Sequence, residues 1–275
     1  MILLDGKKLA QKILDELKRE VAGIKKQLRL AVVVVGEDPA VKKFIEQKKQ
    51  TVVAVGIDIR IYPFEDKITT NELRKKIAEI VHEKKNTGVI VQLPLPKHIN
   101  AQYILNSVTP EKDVDMLSAR SIGNFVTGKS LIFPPVAGAV KTLFEEYQVD
   151  YKNKYVVVVG AGNLVGRPVA LWLLGEKATF SVLRSATKNP EEFLQKADII
   201  ISGVGKPGFI TGDMIKEGAV VIDAGTSESE GKVVGDVDFD SVSKKVAYLT
   251  PVPGGVGPLT VAMLLRNLVA VSKSE

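Results

Sequence analysis

Residues 155–174 read YVVVVGAGNLVGRPVALWLL, and this stretch decides the fold. The apolar run Tyr155 to Val159 is rich in β-branched residues and has the length of a strand. It ends on Gly160, and beyond Gly166 the apolar residues continue as a helix. The glycines Gly160, Gly162 and Gly166 fall in the pattern G-x-G-x-x-x-G, one residue longer than the usual dinucleotide fingerprint. Gly160 permits the tight turn, Gly162 lets a pyrophosphate approach the backbone, and Gly166 allows the helix to pack closely. The helix N-terminus then faces the anion. The same glycines also suit a plain strand-to-helix turn, and the strands that follow favour cofactor binding.

Working outward, the next strands read ATFSVL, ADIIISG, AVVIDAG and VAYLT, with helical or loop segments between them. A nicotinamide site for NAD usually places an acid at the end of the second strand to hold the ribose hydroxyls. Here VLRSAT supplies Arg184 and Ser185 instead, a cation and a hydroxyl that suit a 2′-phosphate, so NADP is favoured over NAD. A solvated arginine is the plainer alternative. SGVGKPGFI follows the third strand, and its glycines, Gly203 first, put bare backbone where a nicotinamide would lie or simply make a turn.

The first half alternates in the same way. Leu9 to Ile24 is an amphipathic helix, LRLAVVVVGED is a strand, Ala40 to Val55 is a helix closed by Gly56, and IDIRIYPF is a strand. Thr70 is the expected N-cap of a helix running to about Lys85, and GVIVQLPLP is a buried strand broken by prolines. Helix and strand alternation predicts an α/β fold with mainly parallel sheets. TPEKDVDMLSARSIGNF and FPPVAGAV punctuate the chain, so a domain change is expected near residues 118–125. A last amphipathic helix, Leu259 to Val271, is expected to return to the first domain.

The totals narrow the function classes. The chain has 275 residues, enough for one large or two smaller domains, with 45% hydrophobic and 25% charged residues. Without cysteine it has no disulfide, no thiolate metal site and no cysteine nucleophile, which fits a reducing, cytoplasmic setting. Its two histidines, His82 and His98, make a histidine-rich metal cluster unexpected, so the predicted site contains no metal. MILLDGKKLAQKI lacks the order of a signal peptide, and no apolar run reaches the ~18 residues of a membrane span. The formal charge of +6 sits on scattered lysines with no aromatic-basic motif, so nucleic acid is not an expected partner.

Six stretches carry a resemblance: VQLPLPKHI, PEKDVD, GVGKPGFI, AVVIDAG, GDVDF and PVPGGVGPLTVAMLLRN. Together, in order and over nearly the whole chain, they resemble the bifunctional methylenetetrahydrofolate dehydrogenase/cyclohydrolase family, FolD. The resemblance implies two α/β domains flanking a cleft. Residues 1–120 plus 257–275 would bind the folate, and residues 121–256 would form a Rossmann-type NADP domain. It further implies a cytosolic homodimer and two reactions on a tetrahydrofolate derivative. The first oxidises 5,10-methylenetetrahydrofolate to the methenyl cation, and the second hydrolyses that cation to 10-formyltetrahydrofolate.

Hydride transfer needs positioning more than acid–base help, whereas hydrolysis needs a group of tuned pKa to move protons. The resemblance puts Lys48 in that role, Gln92 as its partner and Asp115 as the carboxylate that grips the pterin ring. Phe44, Pro94, Gly257 and Val261 align with positions lining the folate pocket. Gly160, Ala161, Gly162, Gly166, Arg184, Ser185, Gly203 and Gly225 align with the cofactor site. Taken singly, Lys48 reads as a solvated helix lysine, Gln92 as a polar strand end and Asp115 as a turn former. Their joint match sets the functional reading apart.

The departures from the family fall at the site. Phe44 replaces the tyrosine four residues before Lys48, and Val41 replaces a serine. DVDMLS, with Met116 and Leu117, replaces DVDGFH; FPPV at 133–136 replaces PCTP; and Ala161-Gly162 replaces Arg-Ser. Losing a hydrogen bond to a charged group costs roughly 1.5–3 kcal/mol, or about one to two orders of magnitude in rate. The expectation is a competent dehydrogenase with a weakened cyclohydrolase. A dehydrogenase without hydrolase activity and a non-catalytic folate- or nucleotide-binding relative are the alternatives.

Overall fold

The computed structural model describes residues 1–229 and 231–273; the side chains of residues 39–44 and 47 lie outside the described set. In chain order the elements begin with β1 (Ile2–Leu3), α1 (Gly6–Ala22), β2 (Arg29–Val35), α2 (Pro39–Ala54), β3 (Asp58–Phe64), α3 (Thr70–His82) and β4 (Gly88–Val91). Then come α4 (Ala101–Leu105), α5 (Ala119–Val126), α6 (Pro135–Glu146), β5 (Tyr155–Val159), α7 (Gly166–Gly175), β6 (Thr179–Leu183), α8 (Pro190–Leu194) and β7 (Ile199–Ser202). The chain ends with β8 (Val220–Asp223), β9 (Ser227–Ser229), β10 (Lys232–Val234), α9 (Phe239–Val242), β11 (Tyr248–Leu249) and α10 (Val256–Ser272).

Two compact units emerge, residues 1–10 with 136–260 and residues 11–135 with 261–275. The larger sheet, in the first of these, has the order β1-β11-β8-β7-β5-β6, and every pairing in it is parallel. Parallel strands are covered on both faces, which is why β7 (IIIS) and β8 (VVID) are apolar up to their last residue and buried throughout. The order turns at β5, with β6 on one side and β7 on the other. In such sheets ligands bind beyond the carboxyl ends of the strands at that turning point. Residues 1–10, expected with the first domain, belong here because β1 continues the sheet alongside β11. A two-residue strand leaves too little pattern to read. The antiparallel hairpin β9–β10 was likewise not expected.

The second unit contains a three-stranded parallel sheet, β3-β2-β4. β2 is central, which explains its buried run Leu30 to Val34. Leu73, Ile77, Ile80 and Val81 of α3 pack with Ala31, Val33, Val89 and Val91 of the sheet. The N-cap of α3 is Thr69 rather than Thr70. Its hydroxyl accepts from the Glu72 N–H while the Glu72 carboxylate reaches back to the Thr69 N–H, a reciprocal capping box. The break between the units falls at 135/136, later than the expected 118–125, since α5 forms there behind an Ser118 cap.

Candidate active site

The first cluster lies in the smaller-sheet unit. Lys48 projects from α2 and donates to Gln92 Oε1 at 3.2 Å. Gln92 follows β4 directly, and its backbone N–H bonds to Val33 O, so the sheet fixes its position. Its amide is oriented from the other side, because Nε2 donates to Leu93 O at 2.9 Å. Gln92 therefore presents an acceptor, and only an acceptor, to the lysine. Pro94 lies two residues beyond Gln92, immediately after the oriented Leu93 carbonyl.

Asp115 is brought in by a short extension of the same sheet. Val89 N–H donates to Lys112 O, and Asp113 bridges Val89 in parallel. Gly88 makes room for this, since a Cβ there would stand 2.7 Å from Val114 Cγ1. The two acids of KDVD then separate in role. Asp113 is buried and accepts from the Leu117 and Ser118 N–H groups, so it holds the following loop. No described residue donates a hydrogen bond to Asp115, which leaves its carboxylate available.

The electrostatics of this cluster are unusual. Burial is the largest influence on Lys48 and pulls its pKa below the ordinary 10.5, against the attraction of Asp115. Burial likewise pushes Asp115 up to about 6; the Lys48 charge opposes the rise and Asp113 adds to it. A lysine biased toward its neutral amine beside a carboxylate free of internal partners can move a proton and bind paired N–H donors.

Met116, next to Asp115, has φ +58, a left-handed conformation costly for a side chain, and is 1% exposed. The family glycine at this place would adopt it freely. A Met116→Gly variant trades about 1–3 kcal/mol of backbone strain against about 2–5 kcal/mol of lost core packing. The expected result is a net loss of about 1–2 kcal/mol in denaturant unfolding; a gain in stability would show that strain dominates.

Of the remaining residues expected at the folate site, Gly257 and Val261 lie one turn apart on α10, the glycine exposed and the valine partly so. Gly257 belongs to the larger-sheet unit and Val261 to the other. Phe44 lies on α2 one turn before Lys48, but its side chain and that of Val41 lie outside the described residues.

The second cluster stands at the carboxyl ends of β5, β6 and β7. Gly160 has φ +102, and a Cβ on Gly166 would lie 1.9 Å from Gly160 O, so both glycines are required by the turn itself. Around Gly162 nothing lies within 4 Å of a Cβ, so its bareness answers to no packing inside the chain. It is exposed at the crest of the turn, next to the half-buried Ala161. Helix α7 begins there without a side-chain cap, leaving its amide end open to an anion. Gly160 N–H donates to Leu183 O, which ties the turn to the end of β6. Arg184 and Ser185 follow directly and are exposed, in a turn where Arg184 N–H bonds to Thr187 Oγ1. The open backbone at Gly162, the uncapped helix and the exposed cation fit a phosphorylated dinucleotide. Gly203 starts the loop after β7, where a Cβ would meet Val165 Cγ1 at 2.3 Å. Gly225 is explained differently from its cofactor assignment: a Cβ would collide with the Asp236 carboxyl carbon at 2.2 Å.

Sequence reasoning passed over Asp223 and Asp236 as chemical groups. Both are buried, at 3% and 0% exposure, and both sit inside AVVIDAG and GDVDF. An acid closing an apolar strand run was the available signal. Burial pushes Asp223 up to about 6, opposed by backbone donors from Asp236, Val237 and Gly225.

Residues 4–115 match the family described as "Tetrahydrofolate dehydrogenase/cyclohydrolase, catalytic domain", and residues 134–275 match its "NAD(P)-binding domain". The chain is 45% identical over 278 residues to "Bifunctional protein FolD" of Nautilia profundicola, covering 100% of this chain and 98% of the relative. Among solved structures it is similar to the bifunctional enzyme FolD from Campylobacter jejuni, with TM-score 0.94, 42% identity and coverage of 100% and 99%. It is also similar to the Trypanosoma brucei methylenetetrahydrofolate dehydrogenase-cyclohydrolase complexed with NADP cofactor and inhibitor. There the TM-score is 0.94, the identity 35% and the coverage 99% and 97%.

Proposed function

We infer two consecutive reactions from one premise: this chain belongs to the tetrahydrofolate dehydrogenase/cyclohydrolase family. It oxidises 5,10-methylenetetrahydrofolate to 5,10-methenyltetrahydrofolate with NADP and hydrolyses the product to 10-formyltetrahydrofolate. The observation that carries the reading is that both family domains match in order and that full-length relatives cover the chain end to end. Mixing purified protein with methylenetetrahydrofolate and NADP tests it. Absorbance at the NADPH band should rise, and added methenyltetrahydrofolate should decay faster than in buffer. A protein that does neither would overturn the reading.

NADP, when bound, supplies the acceptor for the hydride. In our reading Gly160, Ala161, Gly162 and the start of α7 bind its pyrophosphate, and Arg184 with Ser185 holds the 2′-phosphate. Gly203 backs the nicotinamide. For hydrolysis, neutral Lys48 takes a proton from the water that attacks the methenyl carbon. The same proton then goes to the ring nitrogen as the carbon–nitrogen bond breaks, and the remaining hydroxyl proton is released as the formyl group forms. Gln92 holds the lysine amine, at 3.2 Å, and Asp115 receives the pterin N–H groups. On the family resemblance, Pro94, Gly257 and Val261 are each assigned to folate binding.

Phe44 sets the balance between the two reactions. The family tyrosine would give Lys48 a hydroxyl partner that phenylalanine cannot supply. Phe44→Tyr should raise methenyltetrahydrofolate hydrolysis roughly 10-fold or more, while oxidation changes far less. Equal rates in the two proteins would remove Phe44 from the argument. We extend the reading to a cytoplasmic homodimer on the family resemblance; sedimentation at the mass of one 29.8 kDa chain would reject the dimer.

A further inference from the structure

Asp236 plays no part in either reaction as described, yet it is completely buried and accepts three hydrogen bonds, all from the end of β7 and the loop that follows it. Its Oδ2 accepts from Ser202 Oγ at 2.7 Å and from Val204 N–H at 2.7 Å, and its Oδ1 accepts from Lys206 N–H at 2.9 Å. No lysine or arginine among the described residues pairs with it. Two backbone N–H groups and the Ser202 hydroxyl compensate the carboxylate. Burying such a group is expensive unless every acceptor direction is used, so the arrangement tolerates little movement of its donors.

The direction imposed on the loop has a chemical consequence. A trans peptide points its C=O away from its N–H. With the Val204 and Lys206 N–H groups turned onto Asp236, the Gly203 and Gly205 carbonyls point away from it. Gly203 O is directed at the Gly-rich turn, 2.8 Å from where a Cβ on Gly160 would stand. The loop and the turn thus meet at the place where the strand order reverses, between β5 and β7. Asp236 is itself fixed from behind. Asp223 Oδ1 accepts from the Gly225 and Asp236 N–H groups, and its Oδ2 accepts from Val237 N–H. Gly225 and Gly235 leave no room for a Cβ against the two carboxylates, at 2.2 Å and 2.0 Å.

We infer that Asp236 is a positioning residue for the dehydrogenase half-reaction: through Val204 and Lys206 it aims the Gly203 and Gly205 carbonyls as acceptors for the carboxamide of a nicotinamide ring. Asp223 holds Asp236 in place. The inference rests on the dinucleotide reading of this unit and adds a determinant for the nicotinamide end, distinct from the phosphate end at Gly162 and Arg184.

The test is equilibrium binding of two probes to Asp236→Asn: NADP, and 2′-phospho-ADP-ribose, which lacks the nicotinamide ring. An asparagine puts an N–H₂ where a backbone donor now points, so the loop must turn. NADP affinity should fall about 10-fold or more, as for a misplaced positioning contact, while affinity for the ring-less probe stays within about two-fold. The hydride-transfer rate should fall in parallel, and methenyltetrahydrofolate hydrolysis, which needs no nicotinamide, should persist. Equal weakening of both probes, or no weakening of either, overturns the inference. If Asp236→Asn does not fold, Ser202→Ala removes one donor and leaves the carboxylate; it should show the same discrimination between probes at about three-fold, and failure to discriminate is again decisive. Wild-type protein that binds NADP without oxidising methylenetetrahydrofolate would refute the folate reading and leave this test intact.

Discussion

Replacing Lys48 with methionine is expected to cut methenyltetrahydrofolate hydrolysis by about 10²–10⁴-fold, the usual contribution of a positioned general base. Methionine keeps a flexible stem of similar reach on α2 and removes the amine that bonds to Gln92. Oxidation should fall much less, since hydride transfer does not use that proton path. The pH dependence gives an independent check. In the proposed mechanism neutral Lys48 is the active form, and burial holds its pKa below the ordinary value, so kcat for hydrolysis should rise with pH and level off earlier than an ordinary lysine would allow. In the same proposal Asp115 binds the pterin as the anion, so KM should climb as pH falls below about 6. A wild-type hydrolysis rate in the methionine variant, or a pH profile unchanged by it, would exclude Lys48 as the base.

Gly166→Ala carries the second large effect. The added Cβ would stand 1.9 Å from Gly160 O and 2.6 Å from Gly160 C, both backbone atoms that no rotamer change can move. Helix α7 or the turn must shift, at a cost of about 1–3 kcal/mol in stability. A displacement near 1 Å is enough to cost about 10²-fold in a positioned reaction. NADP binding and oxidation should therefore collapse together, while hydrolysis of added methenyltetrahydrofolate survives in the folded fraction. Gly162→Ala is the informative companion, because nothing within 4 Å opposes its Cβ. It should leave thermal stability near wild type and still weaken NADP, since only an approaching pyrophosphate would meet the new methyl. Titration calorimetry with NADP and thermal unfolding of both variants separate the two effects. An alanine at 166 that binds NADP normally would show that the turn has more freedom than its contacts allow.

The contrast between Gly162 and Gly225 shows how far a motif can be read. Both were assigned to the cofactor from sequence, and in sequence both are simply glycine after a valine- or isoleucine-rich strand. The space around Gly162 is open, whereas the space at Gly225 is filled by Asp236 from eleven residues further on. KDVD poses the same problem with acids. Two aspartates two apart look alike until the loop closes and Asp113 is consumed by the Leu117 and Ser118 N–H groups. Which acid remains available is a property of the folded loop.

By itself the sequence determined the alternation of strand and helix, the Gly-rich turn after Tyr155–Val159 and the buried central run of β2, because each rests on the spacing of neighbouring residues. It also singled out Lys48, Gln92 and Asp115, through motifs spread over 68 positions of the chain. Only the tertiary structure decided that β1 closes the large sheet, that Gln92 turns its carbonyl oxygen to Lys48, and that Asp223 and Asp236 spend their charge on backbone N–H groups and, for Asp236, the Ser202 hydroxyl. Those outcomes depend on groups far apart in sequence competing for the same space and the same hydrogen bonds. Burial then sets the energy of each charge, and local pattern carries no record of it.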